Sequence, residues 1–320
     1  MRNAVSEVTG YIYIFGIVMA VLAIVFVQVN NMVEDMKRSV LSQSLEKSFK
    51  RIQYIVYSVA FGDVPSQVAE IELQGGNMFL SKGPEFIVAF VNSSNTISQD
   101  DCNEITSSGE KFRLYCLNLS TGLIYPNTTS CNVGLNRTAC ILNTTAGELR
   151  YEYKDWLLSM EAGAVFSKYS NAEYSKLLYE PRILLNTTAG TSKYLVITIP
   201  SLQGNLSIGG SGRFKFTVEE LDNIFSKIDD LNIGSNHQWK NFDYAYVLVR
   251  DTEHQSAWCR FFDRFELLNT TLIAENCHNC YGISPCVCTC EKAFIPMAMI
   301  DTENYQTTLI VVFKSVLLKS

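Results

Sequence analysis

The sequence predicts an α+β protein, one long N-terminal helix followed by a β-rich, sandwich-like globular head. Three observations predict it. Residues 11–29 form an apolar run without a charge, helical spacing of apolar residues continues from there to about residue 60, and beyond Pro65 the apolar residues recur at every second position instead.

The apolar run contains one strongly polar residue, Gln28. As a helix it would rise about 28 Å, close to the roughly 30 Å hydrocarbon core of a bilayer. A soluble core helix of that length would carry a polar face, and a cleavable secretion signal would have a shorter apolar run behind more than the single Arg2, so the segment reads as a membrane-crossing helix that stays in the mature protein. From 30 to 60 no Pro or Gly interrupts the chain. Val33, Met36, Val40, then Leu41, Leu45, Phe49, Ile52, Val56 and Val59 recur at intervals of three and four, with a shift of phase near residue 40. This half (30–60) is amphipathic and can pack on a head or on a neighbouring copy. Phe61-Gly62-Asp63-Val64-Pro65 supplies the stop, Gly and Pro being unable to continue the turn cheaply.

Residues 61–320 make the head. Residues 68–73, Gly75-Gly76 and 78–80 read as a hairpin, 86–91 as an apolar strand, and 112–117, 194–199, 213–218, 244–249 and 309–313 as further strands. Helical pieces are expected at 218–231, behind Glu219 and Glu220, and at 254–265. Residues 92–147 read as a polar insertion forming the outermost surface. So little apolar content needs staples, and Cys102, Cys116, Cys131 and Cys140 are expected to make two disulfides among themselves.

Composition decides the compartment. Ten cysteines are many for a reducing cytosol, and an even number suits about five disulfides. Asn92, Asn118, Asn127, Asn136, Asn143, Asn186, Asn205 and Asn269 each begin an Asn-x-Ser/Thr triplet, about twice what chance predicts, and all lie beyond the apolar helix. Both signals place the C-terminal head outside the cell as a glycoprotein. Lys37, Arg38, Lys47, Lys50 and Arg51 after the helix argue the opposite orientation, and the sequons and cysteines outweigh them. The net charge of −6 is spread along the chain without a basic block, which excludes a nucleic-acid partner.

The densest chemical feature is the cluster 259–290, with Cys259, Cys277, His278, Cys280, Cys286, Cys288 and Cys290. Cys277 and Cys280 have a zinc-ligand spacing, and His278 and Cys286 could complete such a site. An oxidising compartment favours three disulfides over zinc, in any of 15 connectivities. Catalysis has no motif to stand on: the histidines are His237, His254 and His278, and no Gly-x-Ser-x-Gly, His-Glu-x-x-His or phosphate loop occurs, so the chain does not read as an enzyme. Asp100-Asp101 and Asp229-Asp230 lack a calcium loop and read as solvated turn residues.

Arg2-Asn3-Ala4-Val5-Ser6-Glu7-Val8-Thr9-Gly10, leading straight into the apolar helix, resembles the class III signal and N-terminal helix of archaeal type IV pilin-like proteins. Shorter segments extend the likeness to a haloarchaeal-type pilin-like family of uncharacterised function: Val68-Ala69-Glu70-Ile71-Glu72-Leu73 with Gly75-Gly76, Glu161-Ala162-Gly163-Ala164-Val165-Phe166, Glu180-Pro181, and Ser256-Ala257-Trp258-Cys259-Arg260-Phe261-Phe262. The resemblance implies a leader of residues 1–3 cut by a prepilin-type peptidase between Asn3 and Ala4, although Asn3 departs from the usual residue before the cut. It implies a helix, 4–60, that polymerises with copies of itself or with other pilins in a cell-surface filament serving adhesion; separately, the residues themselves call for no cofactor. Glu7 would then meet a neighbour's N-terminal amine; the competing reading leaves it solvated at the headgroup level beside a helix N-terminus. The competing reading for the whole chain is a membrane-anchored surface glycoprotein that binds a ligand and never polymerises.

Overall fold

The structure is a computed structural model that describes residues 2–91, 97–104, 112–118, 123–126, 131, 136–187, 192–227, 244–262, 297–301 and 306–319. Helix α1 runs without a break over Arg2–Phe61, about 90 Å at 1.5 Å per residue. Along 13–29 its large apolar side chains are 47% to 69% exposed. This stretch is long and apolar enough to cross a membrane. Of the expected amphipathic stripe, Val33, Met36 and Val40 are exposed, whereas Leu41, Leu45, Phe49, Ile52, Val56 and Val59 are buried. The shift of phase near residue 40 therefore marks where burial begins.

The chain divides into two compact units, Met1–Lys47 and Ser48–Ser320, and the last turns of α1 belong to the second. There Gln53 Nε2 donates to the Gly163 and Glu180 carbonyls at 2.6 and 2.9 Å. The Arg182 backbone N–H donates to Tyr57 Oη at 2.8 Å, and its guanidinium lies 4.5 Å from the Tyr57 ring centre. Gly163 stands at φ 79° in a tight turn. A Cβ there would fall 2.1 Å from Tyr57 Oη, so the close approach of helix and turn needs glycine. At the end of α1 the Gly62 N–H closes a last bond to Ser58 O, and Pro65 follows.

Two sheets build the head. The larger has the order β10 (Ile183–Thr187), β11 (Ser192–Asn205), β15 (Gln306–Lys319), β12 (Ser207–Lys227), β1 (Ser66–Ser81), β6 (Glu148–Tyr153), β7 (Trp156–Glu161), β8 (Ala164–Tyr169) and β9 (Lys176–Tyr179). The smaller has the order β14 (Met297–Asp301), β13 (Tyr244–Arg250), β2 (Glu85–Val91), β5 (Asn136–Thr145), β3 (Arg113–Asn118) and β4 (Ile124–Tyr125). Two short helices, α2 (Gln99–Glu104) and α3 (Gln255–Phe262), lie in the chain between strands of the smaller sheet. Among the described strand pairs, β11 with β15 is parallel and the others are antiparallel.

A shared core joins the sheets. Phe86, Val88 and Phe90 of β2, with Val247 and Val249 of β13, cluster with Phe166 of β8, Ile197 and Ile199 of β11, and Trp258, Phe261 and Phe262 of α3. The alternate residues Ile87, Ala89 and Val91 are buried in a second cluster with Ile141, Tyr246 and Leu248. Both faces of β2 are covered, which is why its sequence reads as a continuous apolar run rather than an alternating one.

Three expectations about the strands and helices change. Gly75-Gly76 does not turn a hairpin: β1 is one strand, and its register against β12 slips between Gln74 and Asn77. The positive φ values of 118° and 77° serve a β-bulge there, and Tyr151 Oη donates to the Gly75 carbonyl at 2.8 Å. The helix expected at 218–231 is replaced by strand β12 as far as Lys227, the remaining residues lying outside the described ones. Glu219 has strand partners on both sides and Glu220 pairs with Val316 of β15, and lysines of β15 diagonal to the acids answer them: Lys319 Nζ pairs with Glu219, and Lys314 Nζ lies 2.6 Å from Glu220 Oε1. Ladder bonds and cross-strand charge pairs override the local helix-start signal. Finally, 92–147 supplies α2 and strands β3 to β5, with β5 paired between β2 and β3, so this stretch is part of the sheet rather than an appendage to it.

The four cysteines of that stretch form two disulfides. Cys102–Cys140 ties α2 to β5, and Cys116–Cys131 closes a shorter loop from β3. Asp101 is not a plain solvated turn residue: its carboxylate accepts from the Ser98 N–H and hydroxyl, both at 2.7 Å, while Ser98 Oγ accepts from the Asp101 N–H, a reciprocal cap on α2.

Candidate functional site

Two tight hairpins create the most concentrated buried polar chemistry among the described residues. Lys154 at φ 53° turns β6 into β7, and Ala162 and Gly163 at φ 50° and 79° turn β7 into β8. The first register sets Glu148 directly opposite Glu161, and Arg150 opposite Ser159. Facing carboxylates repel, and both are buried, Glu148 at 7% and Glu161 at 1% exposure. Such a pair survives only with partners that offset the lost hydration.

Those partners come from distant segments. His254, fully buried at the start of α3, receives the backbone bonds of Ala257 and Trp258 on its carbonyl. Its imidazole stacks on Phe166 with centres 4.6 Å apart. Nε2 lies 2.6 Å from Ser159 Oγ and 3.8 Å from Glu148 Oε1, and Nδ1 lies 2.8 Å from Ser175 Oγ. Glu161 Oε1 accepts from Thr252 Oγ1 and Trp258 Nε1, each at 2.6 Å. Glu148 Oε2 accepts from Ser81 Oγ at 3.0 Å and faces Arg150 Nη1 at 3.7 Å, while Glu148 Oε1 is buried without a hydrogen-bond partner. Arg150 is shared, since Glu152 and Glu253 hold it at 2.6 and 2.9 Å.

The two carboxyls are pushed in opposite directions. Burial raises the Glu161 carboxyl above its ordinary range, against the lowering effect of His254, Thr252 and Trp258. Burial also pushes Glu148 up, but His254, Arg150 and Ser81 outweigh it and leave that carboxyl below its ordinary range. The surroundings thus disfavour the charged form of one acid and favour that of the other. With every member buried, the cluster can hold a proton or a cation and does not offer a surface to a substrate.

In the sequence Glu161 and Trp258 stand out only as parts of resemblance segments, and His254 only as one of three histidines and the start of an expected helix. No local signal singles out Glu148, Ser159 or Ser175. The fold brings two of the quoted segments together here, because Trp258 meets both Glu161 and Phe166. Of the other candidate residues, Asn3, Ala4 and Glu7 lie in the first turns of α1. Asn143 on β5 and Asn205 at the end of β11 are exposed. Asn118 and Asn136 face each other across β3 and β5, half-buried, with Asn118 Nδ2 donating to Asn136 Oδ1 at 2.7 Å. Asn186 falls on β10. Cys259 sits half-buried on α3. Asn92, Asn127, Asn269, Cys277, His278, Cys280, Cys286, Cys288 and Cys290 lie outside the described residues.

A helix of membrane-crossing length joined to a disulfide-bonded, β-rich domain defines a class of protein: one with an N-terminal anchor or signal helix and a domain suited to an oxidising compartment. Within that class, residues 3–293 match the "Family of unknown function (DUF7289)", and the chain belongs to that family. An uncharacterised protein of Archaeoglobus fulgidus is 53% identical over 323 residues, covering 99% of each chain. No solved structure matches.

Proposed function

We propose that this protein is a structural subunit of an archaeal type IV pilus-like surface filament, with a glycosylated head carried outward on a helix that assembles with its copies. The observation that carries the reading is α1 itself. A tether needs only about 20 apolar residues to cross a bilayer. Here the exposed apolar stretch of 13–29 passes without a break into a helix that ends at Phe61 inside the head's own packing. An apolar surface exposed all round a helix is stable in lipid or against identical helices, and the same surface serves both states in turn. The pilin-like sequence from Arg2 to Gly10 supports the second use, with cleavage between Asn3 and Ala4 and Glu7 paired to a neighbour.

The test is immunogold labelling of the head in negatively stained material sheared from cells. Label along filaments is expected. Label confined to membrane fragments rejects the subunit reading and leaves a membrane-anchored surface glycoprotein.

A further inference from the structure

We propose that Glu148, Glu161 and His254 bind one divalent transition-metal ion, a structural site that locks α3 onto the β6–β7 hairpin. It is independent of whether the protein polymerises.

Geometry comes first. One donor atom from each of the three residues lies within 4.8 Å of the other two. An ion bound at about 2.0–2.2 Å to nitrogen and carboxylate oxygen holds its ligands roughly 3 to 4 Å apart. The 3.8 Å from Glu148 Oε1 to His254 Nε2 is already in that range, and a separation at the 4.8 Å limit enters it with a relative movement of about 1 Å. Glu148 Oε1 is the second, independent sign. It is a carboxylate oxygen on a side chain more than nine-tenths buried, without a hydrogen-bond partner, facing the imidazole. A buried anion oxygen left in that condition is unfavourable unless a cation answers it.

Charge points the same way. Glu148 and Glu161 oppose each other in the register, and Arg150, the cation beside Glu148, is divided among Glu148, Glu152 and Glu253. A divalent ion would balance the two facing carboxylates.

The surrounding groups are arranged as outer partners of metal ligands. Ser175 Oγ at 2.8 Å can accept a hydrogen bond from His254 Nδ1–H, which fixes the tautomer whose Nε2 lone pair is free for the ion. Thr252 and Trp258 both donate to Glu161 Oε1 and hold that carboxylate in place. Ser159 Oγ, 2.6 Å from Nε2, would turn from bonding that nitrogen to facing the ion. One imidazole with two carboxylates suits zinc, manganese or ferrous iron rather than a thiolate-seeking metal. With no open face, the ion would enter as the head folds and add its binding free energy to folding.

The test uses the full chain in detergent, refolded with Zn2+, Mn2+ or Fe2+, dialysed and assayed for metal. Wild type is expected to keep about one equivalent more than Glu148→Gln or His254→Gln, while Cys277→Ser/Cys280→Ser retains it. X-ray absorption at the edge of the bound metal in wild type is expected to show nitrogen and oxygen neighbours only. This measurement stands even where a variant fails to fold. Absence of bound metal in wild type, retention of the metal by His254→Gln, or a sulfur-ligated ion would overturn the proposal.

Discussion

Two stretches of α1 share one secondary structure and differ in what completes them. Along 13–29 the large apolar side chains are about half or more exposed, and no charged residue interrupts them. In the second compact unit, 48–61 buries Phe49, Ile52, Val56, Tyr57 and Val59 and leaves Arg51 and Tyr54 out. The first is apolar all round and leaves its partner, lipid or another copy, to the surroundings. The second is amphipathic, and its own chain provides the partner. Helix formation thus says little about stability until the surface that covers the helix is named.

The largest expected effect falls on the self-completed stretch. Phe49→Ala should cost the head about 3–5 kcal/mol in thermal or denaturant unfolding, whereas Phe15→Ala should leave head stability within about 0.5 kcal/mol. Equal losses would break the comparison. Reduction of the disulfides comes next. Replacing Cys102 and Cys140 by Ser opens a loop of 38 residues and should cost about 4 kcal/mol, and replacing Cys116 and Cys131 opens one of 15 and should cost about 3 kcal/mol. Hydrogen exchange should then quicken over 48–61 and not over 13–29.

A pH effect sharpens the contrast further. Burial pushes the Tyr57 hydroxyl up to about 12, against the lowering effect of Arg182 and Thr198. Between about pH 10 and 12 the unfolded chain loses this proton while the folded one keeps it, so stability is intact below pH 10 and falls by roughly 2–3 kcal/mol above it. Tyr57→Phe should lack that part of the alkaline loss when its pH profile is compared with wild type. The smallest effect locates the change of regime. Val40→Ala, at a residue 63% exposed, should alter stability by less than about 0.5 kcal/mol, while Leu41→Ala, at one 5% exposed, should cost about 2 kcal/mol or more.

Much of this architecture is legible locally. The helix, its change of phase at residue 40 and its stop after Phe61 depend on spacing and on glycine and proline within a few residues. The apolar strand at 86–91 was equally plain. The bulge at Gly75-Gly76 was not, because positive φ suits a turn or a bulge until a partner strand is present. Glu219 and Glu220 looked like a helix start because their lysine partners, Lys314 and Lys319, lie almost 100 residues away along the chain.

Sequence alone determined that the chain is α+β, that it begins with a helix of membrane-crossing length and that its cysteines and sequons lie beyond that helix. Those properties follow from period, length and residue type. Only the tertiary structure decided that Glu148 faces Glu161, that His254 closes over both from the start of α3, and that Gly163 must lack a side chain to admit Tyr57. Strand register and long-range packing set these contacts, and a register shift of one residue between β6 and β7 would part the two carboxylates onto opposite faces.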